Sequence, residues 1–171
     1  NNTIYKLLNT LDKMNLLNNK KIIIKIKKNI PSKSGMGGGS MNAASTLRFL
    51  KKKLNLKLSK NQISKICYNI GSDVIFGINN KPKISLSSRE VLQIKKKIFF
   101  HLAIIKPQFG CKTSRIYKNV KEFSSPLKMT KKLNIQNFQK LRNDLEKPAF
   151  QLYPKLHKLK QDMENIPNIS F

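Results

Sequence analysis

Ile4, Leu7, Leu8, Leu11 and Met14 recur at helical spacing, so the chain opens with an amphipathic helix that Asn2 or Thr3 can cap and that Asn18-Asn19 ends. From Ile22 to Ile30 the period changes. Ile24 and Ile26 alternate with Lys25 and Lys27, the pattern of a strand with one buried and one wet face. Ala43, Ala44, Leu47, Leu50 and Leu54 return to helical spacing, with Lys51 to Lys53 at the exposed end; the two alanines allow close packing. Ser59-Lys60-Asn61-Gln62 reads as a capping box ahead of Ile63, Ile66, Cys67 and Ile70, and Gly71 is expected to stop that helix in a left-handed C′ position. Lys83 to Ser87 and Val91 to Ile94 form a hairpin across Ser88-Arg89-Glu90, and the lysine run 95–97 marks a boundary between subdomains 1–95 and 96–171. Ile98 to Ile105 is then a strand, Thr113 caps a helix, Asn143 and Glu146 mark another helix start with Pro148 in its early turn, and Ile166 to Phe171 is extended.

Composition adds less than its first impression suggests. The net charge of +27 points towards nucleic acid or an anionic surface, and a basic RNA-binding protein is one reading. However, 31 of the 35 basic residues are lysine, dispersed over a chain equally rich in Asn and Ile. Nucleic-acid readers lean on arginine for bidentate contacts and interleave it with aromatics; that signature is missing, so no specific nucleic-acid partner is expected. Cys67 and Cys111 are too few and too far apart in sequence for a zinc site, make no disulfide framework, and suit a reducing cytoplasm. The run from Ile98 to Ile105 is too short to span a bilayer and no signal-peptide pattern is present, so no membrane association is expected. The chain is long enough to bury a core in one domain or two small ones. Beginning at Asn1 and stopping at Phe171 just after an extended segment, it reads as a piece of a longer protein.

The chemistry concentrates in Pro31-Ser32-Lys33-Ser34-Gly35-Met36-Gly37-Gly38-Gly39-Ser40-Met41-Asn42-Ala43-Ala44, which holds four of the seven glycines. Glycine lets the backbone take φ > 0 and approach an anion closely, and the helix opening over Ser40 to Ala44 adds N–H donors and the positive end of its dipole. This is a phosphate site in outline. It is not a P-loop, because Ser40-Met41 follow the last glycine where Lys-Ser or Lys-Thr would be needed. Nor is it a dinucleotide fingerprint, which would need glycine at position 40. Ser72-Asp73-Val74-Ile75-Phe76-Gly77 places one of only eight carboxylates just past a helix end; by itself Asp73 reads as a turn or cap residue.

These stretches resemble the GHMP kinases, a superfamily of small-molecule ATP-dependent kinases. The second motif of that superfamily reads Pro, three variable residues, Gly-Leu-Gly-Gly-Gly-Ser-Ser and Asn/Asp-Ala-Ala; here Met36 stands for the leucine, and Met41 sets a longer side chain beside the loop. Gly71-Ser72-Asp73-Val74-Ile75-Phe76 is similar to Gly-Ala-Asp-Val-Pro-Phe, with Ile75 in place of proline and Asp73 at the position of the proposed base. Thr113 and Tyr117 match a threonine and, four residues on, an aromatic that stacks on cytosine in the kinases acting on 4-diphosphocytidyl-2-C-methyl-D-erythritol. Asn143-Asp144-Leu145-Glu146, with Tyr153-Pro154 beyond, is characteristic of that branch. The alternative is a homoserine, mevalonate or sugar kinase of the same superfamily, and the Asn143 to Glu146 motif argues against it.

The resemblance implies an α+β GHMP kinase fold. Its N-terminal half resembles the second domain of ribosomal protein S5 and its C-terminal half is ferredoxin-like, both incomplete here, with a catalytic lysine and a third glycine motif lying outside the chain. It implies ATP held by Pro31, Gly35, Gly37, Gly38, Gly39, Ser40 and Asn42, with Mg²⁺ neutralising phosphate charge. Asp73 would be catalytic, and Thr113 and Tyr117 would hold the cytidylyl-methylerythritol substrate of the non-mevalonate isoprenoid route. No metal ligand is assigned, a bacterial-type cytoplasmic enzyme is implied, and a homodimer is left open.

Overall fold

The computed structural model describes residues 2–30, 34–79, 81–85, 91–93, 101–124 and 142–167. The chain forms two compact units, one of Asn1–Pro31 with Gly35–Lys97 and the other of Ser32–Ser34 with Ile98–Phe171. Helices and strands both occur. Among the described residues no helix is long and apolar enough to cross a membrane.

In the first unit, α1 (Thr3–Lys13) begins where the Asn2 side chain accepts the N–H of Ile4 at 3.0 Å, and it buries Ile4, Leu7 and Leu11. It ends at Lys13, earlier than Asn18-Asn19, because Asn15 takes a left-handed φ of 55°. The Leu16 N–H then bonds back to Leu11 O at 2.9 Å, closing a Schellman turn on asparagine. α2 (Gly38–Lys53) buries Ala43, Ala44, Leu47 and Leu50. It ends in the same way, with Asn55 at φ 50° and the Leu56 N–H on Lys51 O at 2.9 Å.

α3 (Lys60–Ile70) starts with the expected capping box, in which Ser59 accepts from the Gln62 N–H and Gln62 accepts from the Ser59 N–H. Its other end differs from expectation. Gly71 has φ 171° and ψ 148°, an extended conformation open to any residue, because the chain enters a 3₁₀ helix (Ser72–Ile78) directly and needs no reversal. β1 (Lys83–Ser85) and β2 (Val91–Gln93) pair antiparallel with Ile84 opposite Leu92; Ser88-Arg89-Glu90 lies outside the described residues. The unit's core joins Leu7 and Leu11 of α1 to Ala43, Ala44 and Leu47 of α2, Ile66 and Cys67 of α3, and Val74 of the 3₁₀ helix.

The segment from Ile22 to Ile30 is not a strand. Ile22 and Ile24 are half-buried, but Ile23 is 90% exposed, and no described segment pairs with this one. Alternation prescribes two faces; a strand also needs a neighbour to take its backbone hydrogen bonds.

In the second unit the described residues form three helices: α4 (Thr113–Lys118), α5 (Glu146–Leu152) and α6 (Pro154–Glu164). Residues 101–105, the described part of the run expected as a strand, are unpaired, with Leu102 and Ile104 exposed. At the other end Ile166 bonds back to Met163 O in a turn, so the extended segment expected from there has no described strand; 168–171 lie outside the described residues.

Candidate functional site

The glycine stretch brings its expected residues together in one turn, except Pro31, which lies outside the described residues. Gly35 (φ 74°) and Gly37 (φ 64°) are left-handed, and Gly37 is the N-cap of α2. The helix therefore starts at Gly38, two residues before the expected Ser40. Gly38 does not share the left-handed conformation. No side chain caps this end and no acidic residue stands in its first turn, while Lys51, Lys52 and Lys53 occupy its last turn. An α-helix leaves its first N–H groups without intrahelical partners, so Gly38, Gly39 and Ser40 present donors at the positive end of the dipole. Asn42 is exposed one turn on, its carbonyl accepting the Thr46 hydroxyl.

Neighbouring elements hold this turn in place. Thr3, at the first position of α1, donates its hydroxyl to Gly39 O at 2.7 Å; the N-cap role that it shared in expectation belongs to Asn2. Ala43 and Ala44 are fully buried and let the 3₁₀ helix lie close. A Cβ built on Gly77 would stand 2.6 Å from Ala44 Cβ and 3.0 Å from Met41 Sδ. The longer Met41 side chain is thus accommodated by packing over Gly77. Arg48 adds a donation from Nη1 to Gly77 O at 3.5 Å.

Asp73 is exposed near the start of this 3₁₀ helix, and its Oδ1 accepts the Ser72 hydroxyl at 3.2 Å. The far end is tied down by Lys83 of β1, whose Nζ donates to Phe76 O at 2.9 Å and Asn79 O at 3.4 Å. Burial lowers the Lys83 pKa, an effect that the neighbouring Cys67 opposes. Burial also pushes the Cys67 thiol up to about 11, with Lys83 pulling the other way. Asp73 and the glycine turn therefore stand on two elements packed against one another.

In the second unit Thr113 and Tyr117 lie one turn apart on α4, both exposed, while Ile116 between them is buried. Thr113 is the first helical residue and not the cap; the N-cap is Lys112, without a side-chain bond. Asn143 does not cap α5 either. Its Oδ1 accepts the Leu145 N–H at 3.2 Å, and α5 starts at Glu146 after an N-cap at Leu145. Asp144 accepts both the Ser124 N–H, at 2.9 Å, and the Ser124 hydroxyl, bonds that hold its carboxyl below the usual range. Glu146 pairs with Lys160 of α6 at 2.6 Å. This motif is occupied with internal bonds and joins α5 to its surroundings.

The family model of the GHMP kinases N terminal domain matches residues 2–82, a span that includes the glycine turn and Asp73. A 4-diphosphocytidyl-2-C-methyl-D-erythritol kinase of Pelagibacter ubique is 47% identical over 99% of this chain and 62% of its own length. The kinase of that name from Petrotoga mobilis is 32% identical over 100% of the chain and 70% of its own length. The chain belongs to the 4-diphosphocytidyl-2-C-methyl-D-erythritol kinase family. The chain spans 62% of the length of the first of these relatives and 52% of one from Thermoanaerobacter pseudethanolicus. No solved structure matches it.

Contacts distant in sequence add roles for Thr3, Gly77, Lys83 and Tyr153, across 7 to 41 positions. The sequence marks Thr3 only as a possible cap and Tyr153 only as part of the Tyr153-Pro154 pair, whereas Gly77, at the end of an apolar run, carries the local signal of close backbone approach.

Proposed function

We propose that the full-length protein transfers the γ-phosphoryl group of ATP to the 2-hydroxyl of 4-diphosphocytidyl-2-C-methyl-D-erythritol, in the cytoplasm, as a step of the non-mevalonate isoprenoid pathway. The observation that carries this reading is the first turn of α2, which has two left-handed glycines before it, N–H groups without a cap, and the element bearing Asp73 packed against it. A triphosphate fits a turn of that kind, since anions are stabilised by unpaired N–H groups and the helix dipole.

In this reading Gly37, Gly38, Gly39 and Ser40 hold the phosphates, flanked by Pro31, Gly35 and Asn42. Asp73 takes or orients the proton of the attacking hydroxyl, and positioning together with charge stabilisation supplies most of the catalysis. Thr113 and Tyr117 hold the cytidine end, the ring stacking on the exposed tyrosine. Mg²⁺ would arrive on the nucleotide phosphates and neutralise their charge. The fold that accompanies this reading has an S5 domain 2-like first half and a ferredoxin-like second half.

The test is phosphoryl transfer by the full-length protein from γ-labelled ATP, offered 4-diphosphocytidyl-2-C-methyl-D-erythritol, homoserine, mevalonate and galactose separately. Label is expected in the cytidylyl compound alone. Preferential labelling of another acceptor would overturn the substrate assignment, and label in none would overturn the kinase reading.

A further inference from the structure

Helix α4 is only six residues long, too short to hold itself in water, and its N-terminus has no local means of closure. In a capping box the N-cap side chain accepts from N3 while the N3 side chain accepts the N–H of the N-cap residue. Here the N-cap is Lys112 and N3 is Arg115, and neither side chain can accept a hydrogen bond. The acceptor comes from elsewhere in the unit. Tyr153 Oη accepts the Lys112 N–H at 3.0 Å across 41 positions of sequence.

Tyr153 is well mounted for this. Its own N–H bonds to Ala149 O at 2.8 Å as the C-cap of α5, and its carbonyl accepts the Leu156 N–H at 2.8 Å as the N-cap of α6. Its ring is half-buried and stacks with Phe109, at 6.5 Å between centroids and 15° between planes. Phe109 lies three residues before Lys112, so one side chain grips the approach to α4 by its face and the first turn by its hydroxyl. The remaining anchor, Ile116, is buried on the opposite side of that turn from solvent.

We infer that Tyr153 is a positioning residue for acceptor recognition: it fixes the first turn of α4 and thereby the direction in which Thr113 and Tyr117 are presented. This rests on the reading that those two residues hold the cytidine end. Tyr153 and α4 belong to one unit and the glycine turn to the other, so its effect is expected on the acceptor and not on ATP.

The test is Tyr153→Phe in the full-length protein, which keeps the ring and removes the acceptor. A neutral hydrogen bond contributes about 0.5–1.5 kcal/mol net, roughly a 2- to 12-fold change. The expected result is a rise of about that size in KM for 4-diphosphocytidyl-2-C-methyl-D-erythritol, with kcat and KM for ATP unchanged and amide exchange at Lys112 accelerated. Tyr153→Leu, which also removes the stack, should raise the acceptor KM further. An unchanged acceptor KM in the Phe variant, unaltered exchange at Lys112, or an equal rise in KM for ATP would each overturn the inference. Tyr117→Ala separates it from the reading beneath it. If Tyr117→Ala leaves acceptor affinity intact, the assignment of α4 to the acceptor fails; if it weakens the acceptor while Tyr153→Phe does not, the positioning role fails alone.

Discussion

Helices α2 and α3 share one unit and one core, and each begins with a turn of N–H groups that lack intrahelical partners, yet only α3 closes that turn from its own sequence. Ser59 and Gln62 exchange hydrogen bonds with each other's backbone, whereas α2 has glycine at its N-cap and no side-chain bond. Closing such a turn stabilises a helix by about 1 kcal/mol. α2 forgoes that contribution and is held by contacts along its length instead: Thr3 on Gly39 O, and the 3₁₀ helix on Ala44 and Met41. On the proposed reading the difference separates a helix end closed from its own sequence from one left open to an anion, and each prediction below should move one without the other.

The largest effect is expected where the open turn meets the chemistry. Asp73→Asn in the full-length protein keeps shape and the Ser72 contact but removes the charge proposed to take or orient the acceptor proton, and kcat should fall about 10² to 10⁴-fold with KM values little changed. A fall of ten-fold or less in steady-state kinetics would return Asp73 to the role of a turn residue.

Gly37→Asp sets a carboxylate at the open start of α2. Aspartate tolerates a left-handed conformation better than most residues, at some cost because the position favours glycine, and its charge repels phosphate. ATP affinity by calorimetry should drop roughly 10²-fold or more, the loss of about two charge-assisted hydrogen bonds, with only a modest fall in the thermal midpoint. Intact ATP binding would mean that this turn is not where the phosphates sit.

Stability at alkaline pH should belong to the α3 side. The Cys67 thiol has its pKa raised from 9.0 to about 11 by burial, so the folded state holds a proton that the unfolded state releases. Its contribution is complete below pH 9 and is lost as pH rises through about 11. Lys83, with its pKa lowered by burial, has the opposite slope, since the unfolded state binds the extra proton and stability gains as pH rises. Comparing Cys67→Ala with the unmodified protein isolates the thiol: the substitution should cost a constant amount at neutral pH and a shrinking one between pH 9 and 11 in urea unfolding. A pH-independent difference would contradict it.

Ser59→Ala should have the smallest effect, about 1 kcal/mol of stability with ATP and acceptor KM unchanged. Altered ATP affinity would show that the two helix ends are coupled and that the contrast between them is misdrawn.

Much of this contrast was legible because its causes are local. The capping box at Ser59 and Gln62, the helical stripe from Ala43 to Leu50, and the glycines at 35 and 37 all act within a few residues of chain. The local pattern misleads where a neighbouring or distant element decides the conformation. Ile22 to Ile30 has the alternation of a strand without a described partner, and Gly71 was given a reversal that the direct entry into the 3₁₀ helix makes unnecessary. Asn15 and Asn55 took the left-handed positions instead. Thr113 could not cap α4, because the residue before it holds that position and a tyrosine 41 residues away from Lys112 supplies the acceptor. Asp144 and Glu146, which lie at an expected helix start in the sequence, are engaged by Ser124 and Lys160.

The most direct measurement is a titration of the full-length, ¹⁵N-labelled protein with a non-hydrolysable MgATP analogue, following backbone amides at the two helix starts. Gly38, Gly39 and Ser40 should shift in a saturable manner as the phosphates take up their N–H groups, while Lys60, Asn61 and Gln62, whose turn is already closed, stay still. Binding of the analogue without shifts at 38–40 would contradict the open turn as the phosphate site.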